Sequence, residues 1–264
     1  MKGGAARPPE PEAHFVPSHL GKRESVTMST EQKVALITGA SQGIGAGLVS
    51  GFLERGYRVV ATSRTIKPSG SPSVLTVAGD ISDPSTADRI VSAAVERYGR
   101  IDTLVNNAGI FLSKPFIDYT EADFANLVSV NLAGFLHISQ RVAARMLKQG
   151  SGHIVNITTS LVDQPLTAVP AALQALTKGG LNAVTRSLAI EYADKGIRVN
   201  AVSLGIIKTP MHPAENHDSL ATLHPMRRLG EVKEVVDAVL YLETAAFVTG
   251  EILHVDGGAH AGRW

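Results

Sequence analysis

The chain of 264 residues has no cysteine. Disulfides, thiolate metal sites and a cysteine nucleophile are therefore excluded. The absence agrees with a reducing compartment, and a cytoplasmic location is expected. An excess of either charge is also missing. Twenty-five Lys and Arg face 24 Asp and Glu, a net charge of +1. No global field favours nucleic acid or an anionic membrane, so neither is expected as a partner. No apolar run approaches the roughly 18 residues that span a bilayer. Internal repeats are lacking too. The histidines of the segment after Pro210 are His212, His217 and His224, spaced five and seven residues apart. That does not fit a helical metal pair at i, i+4, and no metal is expected.

What is present is an ordinary globular composition, 44% hydrophobic and 19% charged. Residues 1–30 stand apart. Pro8, Pro9, Pro11 and Pro17 fall among Gly, Ala and charge without an apolar period, which predicts a disordered leader. Met28 offers an alternative start, with the leader then an extension. Residues 31–264 read as one domain.

From Lys33 onward β-prone runs alternate with helical periods. Strands are predicted at Val34–Thr38, Arg58–Thr62, Val74–Val77, Ile101–Val105, His153–Thr158, Ile197–Val202 and Glu251–Val255. Helices are predicted at Ile44–Arg55, Pro84–Tyr98, Glu121–Lys148 (either continuous or broken once), Ala171–Lys195 and Glu231–Leu242. The alternation implies an α/β fold, a Rossmann-like doubly wound parallel sheet of about seven strands with helices on both faces. On the helix from Ala171, the expected buried stripe is Leu173, Leu176, Leu181, Val184 and Leu188.

Thr38-Gly39-Ala40-Ser41-Gln42-Gly43-Ile44-Gly45 joins the first strand to the first helix. Such a turn can hold a pyrophosphate on helix N–H groups, with glycines turning the backbone and letting it approach. The spacing is G-x-x-x-G-x-G rather than the usual G-x-G-x-x-G. An NAD-specific site places a carboxylate about 20 residues further on. Here no acid lies between Arg55 and Gly79, and Ser63-Arg64 ends the second strand. Arg64 can pair with a 2′-phosphate, which favours NADP over NAD.

At this point the chain resembles the short-chain dehydrogenase/reductase family, from about Lys33 to Gly258. The glycine loop matches the family's T-G-x-x-x-G-x-G. The resemblance implies cofactor contacts at Gly39, Ser41, Gln42, Gly43, Ile44 and Gly45. It places Asp80 and Ile81 at the adenine. Asn106-Asn107-Ala108-Gly109 matches the family's N-N-A-G and lines the cofactor. Asn131 matches the helix Asn whose backbone holds a water of the proton relay. Gly205, Ile207 and Thr209 fall in the segment over the nicotinamide, where Leu204 replaces a Pro. Val255-Asp256-Gly257-Gly258 matches the C-terminal V-D-G-G. The implied chemistry is hydride transfer between the nicotinamide and a carbonyl or alcohol carbon of a small molecule. The implied assembly is a homodimer or homotetramer through the two long helices.

One position departs from the pattern. Lys178 matches the family Lys, which binds the cofactor ribose, but the proton-donating Tyr four residues earlier is Gln174. Gln can donate a hydrogen bond yet cannot release a proton at useful pH. The family Ser position falls on Thr159, with Ser160 next to it, and either hydroxyl could hold a substrate oxygen. The spacing from these to Gln174 is 15 and 14 residues, longer than the family interval. Three readings stay open: an NADP(H)-dependent reductase with an altered proton route, an NADP(H)-binding protein without redox chemistry, and an elimination or isomerisation on the same site. Asp163 is either a supplementary acid or a solvated loop residue.

Overall fold

A computed structural model describes Met1 and residues 32–262. The remainder of the expected leader, and Trp264, lie outside the described residues. Seven parallel strands form one sheet: β1 (Val34–Thr38), β2 (Arg58–Ser63), β3 (Val74–Ala78), β4 (Thr103–Asn106), β5 (Gly152–Thr159), β6 (Ile197–Leu204) and β7 (Ile252–Val255). Their order is β3-β2-β1-β4-β5-β6-β7. The chain runs outward from β1 to β3, then returns to place β4 on the other side of β1. That reversal leaves a crevice above the carboxyl ends of β1 and β4, where ligands of open α/β sheets bind.

The helices follow the pleat. Successive strand residues point to opposite faces, so Ala35 and Ile37 of β1 pack with α1 (Gly43–Glu54) and α6 (Val232–Thr244) through Leu48, Phe52, Val235 and Val239. Val34 and Leu36 face the other way. They share a core with α2 (Pro84–Tyr98), α4 (Gly134–Gln149) and α5 (Ala172–Tyr192). The two-sided burial explains why the strands read as short continuous apolar runs.

One expectation gains detail and one needs correction. The long helix from Glu121 is interrupted once. α3 (Glu121–Val128) and α4 are joined by a π-helical stretch, Ser129–Ala133. Asn131 sits at its centre and is buried. One-turn π insertions re-aim side chains at functional sites. On α5, Leu176 does not belong to the buried stripe; it is 58% exposed. The inward face carries Gln174, Thr177, Lys178, Asn182 and Thr185 beside Leu173 and Leu181. It is polar because part of it lines a cleft and part meets a ladder of buried amides. In that ladder Asn106 Nδ2 donates to Asn156 Oδ1 and to Ser139 Oγ, both at 2.9 Å. Asn156 Nδ2 donates to Thr185 Oγ1 at 2.8 Å. The ladder ties β4, β5, α4 and α5 together through buried amide and hydroxyl groups.

A second polar cluster closes the amino end of the sheet. His153 Nδ1–H donates to Glu243 Oε2 at 2.7 Å, and Tyr57 OH donates to Glu243 Oε1 at 2.8 Å. Burial pushes the His153 imidazole below its ordinary value, so it is neutral. Its Nε2 accepts from Asn200 Nδ2 at 3.0 Å. This cluster is structural and lies away from the crevice.

Candidate active site

The crevice opens into a cleft of about 680 Å³, within the size range of ligand pockets. At one end it is floored by backbone. Gly39 has φ +67°, a conformation open to glycine. A Cβ on Gly45 would stand 2.1 Å from the Gly39 carbonyl oxygen. A side chain there would push the loop off the N-terminus of α1. Asn107 holds the loop from behind: its Nδ2 donates to Thr38 O at 2.9 Å, and its own N–H donates to Thr38 Oγ1 at 3.0 Å. Ser41, Gln42, Gly43 and Ile44 line the same end.

Arg64 lies on the rim past β2, exposed to solvent and free to meet an anion. Asp80 lines the wall next to it. Its Oδ1 accepts from Ser82 N–H at 3.0 Å and Ser82 Oγ at 2.7 Å. Those bonds, helped by Arg64, hold its carboxyl below the usual range, so it stays an acceptor. Ile81, Ala108 and Gly109 continue the wall.

The other end of the cleft is built by β5, α5 and the segment after β6. Ser160 begins a single 3₁₀ turn, Ser160–Val162, and is buried. Thr159 lines the cleft too, but its hydroxyl oxygen caps that turn, accepting from Leu161 N–H at 3.4 Å. Of the two candidate hydroxyls, Ser160 is the one not committed to the cap. Gln174 and Lys178 lie one turn apart on the inward face of α5, 3% and 6% exposed. Lys178 Nζ donates to Ile157 O at 2.8 Å. Burial without a counter-charge lowers its ammonium from 10.5 to about 8. A Cβ on Gly109 would lie 3.1 Å from Lys178 Nζ and 3.2 Å from Asn131 Oδ1, so the glycine leaves room for both. Asn131 does not point its amide into the cleft. It takes Ile110 N–H at 2.9 Å and donates to Ile110 O and Thr177 Oγ1. It pins the strand-exit segment against α5.

Gly205, Ile207 and Thr209 lead into residues 206–230, which fold over the cleft. The base of that segment is tied by two backbone bonds between Gly230 and residues Ile206 and Lys208, both 2.9 Å. His224 Nε2 accepts from Ile206 N–H at 2.9 Å. Thr209 closes on the glycine loop: a Cβ on Gly43 would lie 3.3 Å from Thr209 Cβ. Both His212 and His224 line the cleft, and burial lowers both imidazoles from their ordinary value. Among the described residues no group of three or more His, Cys, Asp or Glu could hold a metal. None of the described helices is long and apolar enough to cross a membrane.

The structure thus gathers nearly every residue singled out from the sequence around one cleft. Asn131 acts behind its wall. The sequence reading missed the wall itself, chiefly Phe111, Leu161, Leu166 and Leu223. Their apolar character carries no spacing signal. It also missed what Asp163 does: its carboxylate bonds to His254.

The family model for enoyl-(acyl carrier protein) reductases matches residues 39–260. The chain belongs to the short-chain dehydrogenase/reductase family. It is 36% identical over 256 residues to an uncharacterised oxidoreductase of Thermotoga maritima, covering 89% of this chain and all of that one. It is 34% identical to the 3-oxoacyl-(acyl-carrier-protein) reductase FabG of Vibrio cholerae, covering 88% of this chain and 99% of that one. The solved structure of ElxO with NADP bound superposes with a TM-score of 0.81 at 33% identity, over 88% of this chain and 100% of that one.

Proposed function

We propose that this chain is an NADP(H)-dependent oxidoreductase that interconverts a carbonyl and an alcohol, with Gln174 in the position of the family's tyrosine. The observation that carries the reading is the pairing on α5: Gln174 and Lys178 are both buried and line, with Ser160, the same cleft as the glycine loop. The cradle fits a pyrophosphate, because backbone N–H groups can reach it only where Cβ atoms are missing. Arg64, following a strand with no acid between Arg55 and Gly79, supports the 2′-phosphate form. When bound, the nicotinamide supplies or accepts the hydride.

The protein's own part is binding, orientation and the proton. Ser160 Oγ and the Gln174 amide offer hydrogen bonds to the substrate oxygen. Lys178, brought to about 8 by burial, can release a proton near neutral pH, which Gln174 cannot. Its proton reaches the substrate oxygen directly or through a water. The apolar wall leaves most of the substrate's contact to carbon.

Two experiments test the binding half of this reading. Titration with NADPH and NADH is expected to give clearly tighter NADPH binding, and Arg64→Ala is expected to remove about tenfold to a hundredfold of that preference while leaving NADH unchanged. Equal loss for both cofactors would show that Arg64 does not read the phosphate.

The same reading extends to assembly. Leu136 and Leu147 on α4, and Leu176 and Ile190 on α5, are exposed apolar residues on two adjacent long helices. A second copy of this chain would cover them, giving a homodimer or a homotetramer. Leu176→Asp with Ile190→Asp is expected to shift the sedimentation coefficient to that of a monomer; an unchanged value places the contact elsewhere.

A further inference from the structure

A strap of paired side chains runs across the carboxyl ends of β5 and β7, outside the cofactor cradle. It starts at the Ser160 turn. The Ser160 carbonyl accepts from Asp163 N–H at 3.0 Å and from Gln164 N–H at 2.8 Å. The turn therefore moves as one unit with Asp163. The Asp163 carboxylate accepts from His254 Nε2–H at 3.1 Å. His254 is the third residue of β7, and its ring stacks on that of His260, with centroids 3.7 Å apart and planes 17° apart. His260 in turn donates from Nδ1 to Asp256 Oδ2 at 2.8 Å. Asp256 is buried and fixed by two more donors, Gly258 N–H and His260 N–H, at 3.0 and 2.9 Å. Because carboxylates only accept, each imidazole's donating nitrogen is set by its partner.

The anchoring end is held by three bonds to one buried carboxylate, whereas the Asp163 end is exposed. The Ser160 turn places Val162 beside Gly179 of α5. The same C-terminal turn also meets the covering segment, where Met226 N–H donates to Gly257 O at 3.3 Å. Ala259 reaches the cleft itself.

We propose that His254, backed by His260 and Asp256, is a positioning residue that fixes the Ser160 turn through Asp163. It touches neither substrate nor cofactor. It sets where the Ser160 hydroxyl stands, so residues beyond the last strand take part in defining the site. The catalytic consequence rests on the oxidoreductase reading; the mechanical link does not.

The test has an arm for each. In the cofactor-free protein, amide hydrogen exchange over residues 159–164 is expected to quicken at least about tenfold in His254→Ala and in Asp163→Ala, with β1 and β4 unchanged. The double variant should add little to either single one, since both break one contact. Asp163 lies on an exposed turn, so its replacement keeps the fold if His254→Ala does not. In the turnover arm, NADPH-dependent carbonyl reduction should lose about tenfold to a hundredfold in kcat, the scale for a misplaced site group. The NADPH dissociation constant should stay unchanged. His254→Gln, which keeps a donor for Asp163, should recover most of the loss. Unchanged exchange over 159–164, or additive effects in the double variant, would overturn the link. Equal loss of NADPH affinity would overturn the positioning role. A wild-type protein without turnover defeats the oxidoreductase reading and leaves the exchange arm to decide the link.

Discussion

Replacing Gln174 with Tyr is expected to raise the rate of NADPH-dependent carbonyl reduction by about 10²–10⁴, the usual contribution of a positioned general acid. The position is prepared for it. Gln174 is 3% exposed and one helical turn before Lys178 on the same face. A phenol there would lie close to an ammonium, which lowers its pKa and eases proton release. The glycine cradle and Arg64 are at the other end of the cleft, so NADPH affinity should hardly move. The measurement is kcat and the NADPH dissociation constant for both proteins against one panel of ketones, aldehydes and quinones. An abolished wild-type activity in Gln174→Tyr would mean that the amide has a role of its own, as in an elimination or isomerisation.

Lys178→Met should act in opposite directions on stability and on rate. In the cofactor-free protein, burial holds the Lys178 ammonium at about 8 against an ordinary 10.5. The folded state therefore binds that proton more weakly than the unfolded chain. The resulting penalty is complete below about pH 8, shrinks as pH rises, and is gone above the ordinary lysine value. Set against the lost hydrogen bond to Ile157 O, Met should stabilise the protein by on the order of 2 kcal/mol at pH 7. That gain should fade between pH 8 and 10.5. Urea unfolding of both proteins across this range checks the sign. On the proposed role of Lys178 as proton source, the rate should fall by about 10²–10⁴. A stable, inactive Met variant would show that the buried charge is kept for function at a cost to the fold. A Met variant less stable than the parent at pH 7 would contradict the account.

Much of this was legible in the sequence, for identifiable reasons. Strands buried on both faces give continuous apolar runs, so all seven were found within about two residues of their ends. The glycine loop announced itself because backbone approach needs glycine at fixed intervals, and Gly45 has no room for a Cβ. Contacts between distant segments were not legible. His153 and Glu243 are 90 residues apart, and Asp163 and His254 are 91; no spacing links them. One break in the helix from Glu121 was open in the sequence, but its place at Asn131 and its π form were not, since a single extra residue per turn barely changes the apolar period. Leu176 was misplaced because periodicity assumes that a buried helix face is apolar. On α5 that face is polar, and the leucine turns outward. The sequence signal that this was so lay in Gln174, Thr177, Lys178, Asn182 and Thr185, which share the i, i+3, i+4 stripe.

The central claim is that the chain carries out a reduction whose proton comes by way of Lys178 rather than a phenol. The most direct test is the pH profile of kcat for NADPH oxidation by the unmodified protein, between pH 6 and 10, with a small apolar carbonyl substrate. The account predicts turnover that is steady below pH 8 and declines above it as Lys178 loses its proton. Tight NADPH binding with no turnover at any pH, or a rate that ignores pH across the whole range, would contradict it.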